Sequence, residues 1–88
     1  MPELSSFYGI RIFMRFEQGS KHHKPHFHVY YGGREAVYSL DGTCLAGRLP
    51  PKQDKLVQAW TCLHEEELKD NWYLAIRNCD CYRIAPLR

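Results

Sequence analysis

Two short turn signals, Gly32-Gly33 and Asp41-Gly42, stand between stretches that alternate apolar and polar residues, and they constrain the first half of this chain more than any other feature. Glycine readily takes the positive φ angles of a two-residue hairpin turn, so Gly32-Gly33 folds His26-Phe27-His28-Val29-Tyr30-Tyr31 back against the segment that follows. That turn sets Val29 opposite Ala36 and Phe27 opposite Tyr38. Phe27, Val29, Ala36, Tyr38 and Leu40 then share one face, and His26, His28, Tyr30, Glu35, Val37 and Ser39 share the other. Asp41-Gly42, read as a second two-residue turn, sets Leu45 opposite Tyr38 and Arg48 opposite Glu35. Upstream, Tyr8 to Phe16 alternates as one half-buried strand, with Ile10, Ile12 and Met14 on one side and Arg11, Phe13 and Arg15 on the other. Glu17 to Pro25, with Gly19, Ser20 and its charges, reads as a loop.

The periodicity changes after Pro50-Pro51. Leu56, Ala59, Trp60 and Leu63 fall at helical spacing, with Lys52, Lys55 and Gln58 turned outward. The spacing slips near His64, and Leu68, Trp72, Ala75 and Ile76 mark a second helix from Glu65 to about Asn78. Glu65, Glu66 and Glu67 suit its N-terminus, where unpaired amides favour negative charge. Residues 81 to 84 are expected to add a short strand. With 88 residues there is material for one core only, so Leu56, Trp60, Leu63, Leu68, Trp72 and Ile76 are expected inside. The expected fold class is α+β. It is a two-layer sandwich in a single domain, residues 1–88: a three- or four-stranded antiparallel meander within about 7–49, two helices on one face within about 51–78, and a short tail.

Several classes are set aside by composition. Apolar runs reach at most five residues, Trp72 to Ile76, against the roughly 18 needed to span a bilayer. The N-terminus has no basic segment followed by an apolar one, so no membrane partner and a cytoplasmic location are expected. Cys44, Cys62, Cys79 and Cys81 then read as reduced thiols. Cys79-Asp80-Cys81 is too tight for the usual zinc-finger spacing. A formal charge of +2 does not by itself announce a nucleic-acid binder.

The residues in order resemble a known family. Phe7, Gly9 and Ile10 resemble its opening strand. Pro25-His26-Phe27-His28-Val29 with Tyr31-Gly32 resembles its central signature, and Gly47, Leu49 and Pro50 its exit from the sheet. Trp60, His64, Glu67-Leu68, Asn71-Trp72 and Leu74-Ala75 resemble its helical half. The family is a group of small bacterial proteins known as domain of unknown function 4160. The resemblance implies no established activity. It implies a partner, because members are often encoded beside a second small protein in an arrangement that looks like a toxin-antitoxin module. His22, His23 and the Cys79-Asp80-Cys81 tail stand outside the pattern.

The second sheet face is expected to be an open surface that displays His26 and His28, and three readings of it follow from its residue types. As a partner-binding face it offers Arg11, Arg15 and Tyr30, with His64 and Glu67 from the helical half as further binding candidates. As a small RNA-cleaving site it offers arginines for phosphates, aromatics for stacking, and His26 and His28 as the catalytic acid-base candidates. As a metal-dependent hydrolase it offers His26 and His28, two apart on a strand, as ligands for a divalent metal such as zinc, with His22 or His23 as a third. A solvated face whose histidines pair with neighbours such as Glu35 is the plain alternative. His64, Glu67 and Asn71, at helical spacing, are expected to end the first helix and bridge buried backbone.

Overall fold

A computed structural model describes residues 3–15 and 24–87 of the chain. Strands β1 (Glu3–Phe7), β2 (Ile10–Phe13), β3 (His26–Tyr31), β4 (Arg34–Ser39) and β5 (Cys44–Gly47) form one antiparallel sheet in sequential order. Helices α1 (Pro51–Leu63) and α2 (Glu65–Ala75) follow. The α+β class is as the patterning implies, but the sheet has five strands rather than three or four. The difference arises at Tyr8-Gly9, whose φ angles of 49° and 78° make a tight turn between β1 and β2. The segment expected as one strand from Tyr8 to Phe16 therefore starts with a hairpin tip, and Phe16 lies outside the described residues.

The Gly32-Gly33 hairpin has the expected register, with Val29 opposite Ala36 and Phe27 opposite Tyr38. The next turn does not. Ser39 donates its N–H to the Thr43 carbonyl (2.8 Å) and accepts from Gly42 N–H (3.0 Å), which encloses the three residues Leu40, Asp41 and Gly42. Gly42 takes the left-handed conformation, φ 94°, as such three-residue loops require. The Asp41 carboxylate accepts from the Ser39 hydroxyl and the Thr43 N–H, and these bonds hold its pKa down at about 2. Cys44, not Leu45, consequently faces Tyr38. A bulge then restores the register at Ala46 opposite Val37 and Gly47 opposite Ala36, with Leu45 as the extra residue. Arg48 lies past the last pair, so its expected place opposite Glu35 is not a ladder position.

The first face of the sheet packs on the helices. Ile10, Ile12, Phe27, Val29, Ala36 and Tyr38 form one cluster with Val57 and Trp60 of α1 and Leu68 of α2. Phe27 stacks on Tyr38, with ring centroids 5.9 Å apart, and meets Trp60 edge-on at 5.9 Å; Phe7 lies 5.8 Å from the same indole. Tyr38, fully buried, needs a partner for its hydroxyl and donates it to Asp54 Oδ1 at 2.5 Å. Burial and the neighbouring carboxylate push that phenol well above its ordinary range. Leu63 and Ile76, expected inside, are exposed. The break at His64 turns the last residue of α1 outward, and Ile76 stands past the end of α2.

α2 stops at Ala75, three residues before the expected end. Residues 76–78 form a turn that ends in Asn78 at φ 57°, the kind of left-handed residue that terminates helices. The tail adds no strand. It is fastened by backbone and side-chain bonds instead: Ile84 N–H to the Leu4 carbonyl (2.8 Å), Trp60 Nε1 to the Ala85 carbonyl (2.9 Å), and Tyr82 N–H to Asn71 Oδ1 (2.7 Å). Ile84 is buried in the same core. Among the described residues no helix is long and apolar enough to cross a membrane.

Candidate functional site

The second face of the sheet collects most of the residues singled out by type. Strand alternation places Arg11, Phe13, His26, His28, Tyr30, Glu35 and Val37 there. The ladder makes cross-strand neighbours of Arg11 and Tyr30, Phe13 and His28, His28 and Val37, and Tyr30 and Glu35. Arg15 joins them from beyond the end of β2.

At the centre is His28. Its Nδ1 lies 3.2 Å from Glu35 Oε2 and 3.4 Å from Arg15 Nη2, and the carboxylate and guanidinium are themselves 3.9 Å apart. A protonated Nδ1 donates to Glu35, while a bare Nδ1 accepts from Arg15, so the two neighbours favour different proton positions. Burial, followed by the Arg15 charge, pulls the His28 pKa below its usual value, against the opposing pull of Glu35. The imidazole is therefore held toward its neutral form. For Glu35, burial pushes upward, but hydrogen bonds from Tyr30 and His28 and the charge of Arg15 leave its pKa lowered. Arg15 also reaches the Tyr30 hydroxyl at 3.4 Å.

Around this centre the face divides by depth. His26 is 2% exposed and His28 8%, with Phe13 and Val37 at 8% and 7%. The expectation of an open surface displaying both histidines is thus corrected: they form its buried base. His26 donates Nδ1–H to the Lys24 carbonyl at 2.7 Å, and its ring lies 5.3 Å from His28 and 5.2 Å from Trp72 of α2. Phe13 packs edge-on against Tyr30 at 5.4 Å, with the Arg11 guanidinium 4.9 Å above its ring. The exposed rim consists of Arg11, Glu35 and the half-buried Tyr30 and Arg15. Arg11 donates to Glu3 at 2.7 Å, and Arg83 of the tail binds the other oxygen at 3.0 Å. These arginines, Arg11 above all, lower the Glu3 pKa.

His64 and Glu67 are apart from this face. His64 closes α1, and its Nδ1 lies 2.6 Å from Glu67 Oε1. Asn71, fully buried, donates to the Glu67 carbonyl at 3.1 Å and accepts from Tyr82 N–H. The trio thus ends one helix, opens the next and anchors the tail, as the bridging expectation has it.

Among the described residues no group of three His, Cys, Asp or Glu is placed to hold a metal ion. His22 and His23, the expected third ligands, lie outside the described residues. Cys44, Cys62 and Cys79 are exposed free thiols and Cys81 is part-buried. The residues that sequence reading undervalued are Glu35 and Glu3, which tie the arginines down. The signal for Glu35 was present, because the Gly32-Gly33 register puts it opposite Tyr30.

A family model, Domain of unknown function (DUF4160), matches residues 9–73, which include the β2, β3 and β4 residues of the sheet face and the His64–Glu67 pair. No curated protein and no solved structure matches the chain.

Proposed function

The chain belongs to the DUF4160 family, and we propose that it is a partner-binding protein whose contact surface is the second face of the sheet, as one half of a toxin-antitoxin-like pair. One observation carries this reading. A rim of Arg11, Arg15, Tyr30 and Glu35 is held in place over a buried base of Phe13, His26, His28 and Val37. Arginine and tyrosine are the residue types that most often anchor protein interfaces, and a rim already fixed by its own ion pairs loses little freedom on binding. The histidines act here as supports that set the rim.

The test is co-purification with the product of the neighbouring gene, followed by titration. Replacing Arg11 and Glu35 together, Arg11→Glu with Glu35→Arg, should lower affinity by about tenfold or more, since like charges across an interface are costly. A partner that binds parent and variant equally well places its contact elsewhere.

A second reading, RNA cleavage without a metal, has the Arg15–His28–Glu35 contacts in its favour. A guanidinium for phosphate, an imidazole and a carboxylate stand side by side, the functional groups a phosphodiester transfer uses. Single-stranded RNA incubated with the protein and a chelator should then be cut, and Glu35→Gln should abolish cutting while leaving the protein folded. Intact RNA in the presence of the parent rejects this reading.

A further inference from the structure

A separate cleft of about 570 Å³ lies between the β1–β2 hairpin tip, the end of β3, the first turns of α1 and the tail. It is lined by Tyr8, Tyr31, Lys52, Gln53, Leu56 and Leu87. This volume falls in the range that takes small organic ligands. Tyr31, Leu56 and Leu87 pack on the core and give the cleft an apolar floor. Tyr8 is 61% exposed, so its ring is an accessible wall. The hairpin tip sits against that floor: a Cβ on Gly9 would lie 3.4 Å from Tyr31 Cε1, at van der Waals contact.

The polar part of the lining has one sign. Among the described residues that line it, Lys52 brings the one formal charge, Gln53 adds an amide, the tyrosines add hydroxyls, and none carries a side-chain carboxylate. Lys52 and Gln53 also stand in the first turn of α1, where Pro50 supplies no side-chain cap, so the positive end of the helix dipole adds to the lysine charge. Asp54, the acid of that turn, has its two oxygens engaged by Tyr38 and Gln58.

We propose that this cleft binds a small organic anion, an aryl carboxylate whose flat apolar body lies between Tyr8 and Tyr31 over Leu56 and whose carboxylate meets Lys52. The inference is independent of the sheet-face reading, since none of its residues belongs to that face.

Indole-3-acetate and tryptamine, which share a ring system and differ in the sign of the charge, are the probes, titrated into isotope-labelled full-length chain and followed by chemical shifts. Indole-3-acetate should give saturable shifts at the Lys52 and Gln53 amides and the Tyr8 and Tyr31 rings, with a Kd of about 1 mM, the scale set by its size. Tryptamine should bind about tenfold more weakly, and Lys52→Glu should weaken indole-3-acetate by about tenfold. That substitution puts an acid at a helix N-terminus and should leave the fold intact. Tyr8→Asn, which tolerates the left-handed backbone, should also weaken binding. Absence of saturable shifts in the parent, equal binding of the two probes, or an unchanged Kd in Lys52→Glu would each overturn the proposal.

Discussion

The two faces of the sheet bury their central residues by different physical means. On the first, Phe27, Val29 and Ile12 are removed from water against Trp60, Val57 and Leu68, and the driving force is transfer of apolar surface. On the second, His26 and His28 are almost as deeply buried, yet each needs a polar partner to be tolerated there: Lys24 carbonyl for one, Glu35 and Arg15 for the other. The first face therefore depends on volume, and the second on donors, acceptors and charge. Substitutions should separate the two.

The largest effect is expected at Trp60. Trp60→Ala removes the indole that touches Phe7 and Phe27 and leaves the Ala85 carbonyl without its donor; a loss of about 3–5 kcal/mol in urea unfolding is expected. Next is the double replacement of His26 and His28 by Ala. An open polar face would lose at most about 0.5 kcal/mol, whereas these buried, hydrogen-bonded rings should cost about 2 kcal/mol. A value near zero would erase the contrast in burial between the sequence expectation and the structure. Asn71→Ala puts the question to a polar group inside the helical layer. It should cost about 1–2 kcal/mol and speed amide exchange at Tyr82, whose N–H it frees.

Of the two faces, the second is the one on which acidity should act. The His28 pKa is depressed from 6.5, so as the pH falls below that value the unfolded chain takes up a proton that the folded one resists, and stability drops toward and through the folded pKa. Glu35, depressed from 4.5, adds a loss of the same sign at still lower pH. His28→Gln should flatten the unfolding midpoint between pH 7 and 5. An unchanged slope in that variant would show that His28 is not the group responsible. The smallest effect belongs to Arg11→Ala. It breaks an exposed pair with Glu3 and should change stability by no more than about 0.5 kcal/mol.

Parts of this arrangement were legible in the sequence for a definite reason. Gly32-Gly33 has one obvious backbone use, so the β3–β4 register and the membership of both faces followed from it. Tyr8-Gly9 was illegible as a turn because a bulky residue at positive φ is disfavoured, and the segment 3–7 lacks clean alternation. The bulge at Leu45 was hidden because Asp41-Gly42 suits a two-residue or a three-residue loop equally. For the candidate site, period-two spacing gave the shared face of His26, His28, Tyr30 and Glu35. It could not give their depth, which depends on Trp72, Phe13 and Arg15 arriving from other elements. Tail docking was illegible for the same reason: Asn71 and Trp60 are its anchors, and neither signals a distant backbone partner by type.

Sequential strand order has a consequence for the time course of folding. Each ladder joins a strand to its immediate neighbour in the chain, so the meander can zip hairpin by hairpin, with short turns to close everywhere but between β2 and β3, which twelve residues separate, and this favours rapid assembly. The Ile84–Leu4 bond spans almost the whole chain and has no such local route. Tail docking should therefore be the late step, with Trp60 waiting for Ala85 after the sheet and helices have met. In stopped-flow refolding, Asn71→Ala should leave the folding rate nearly unchanged and accelerate unfolding, the signature of a contact made after the barrier.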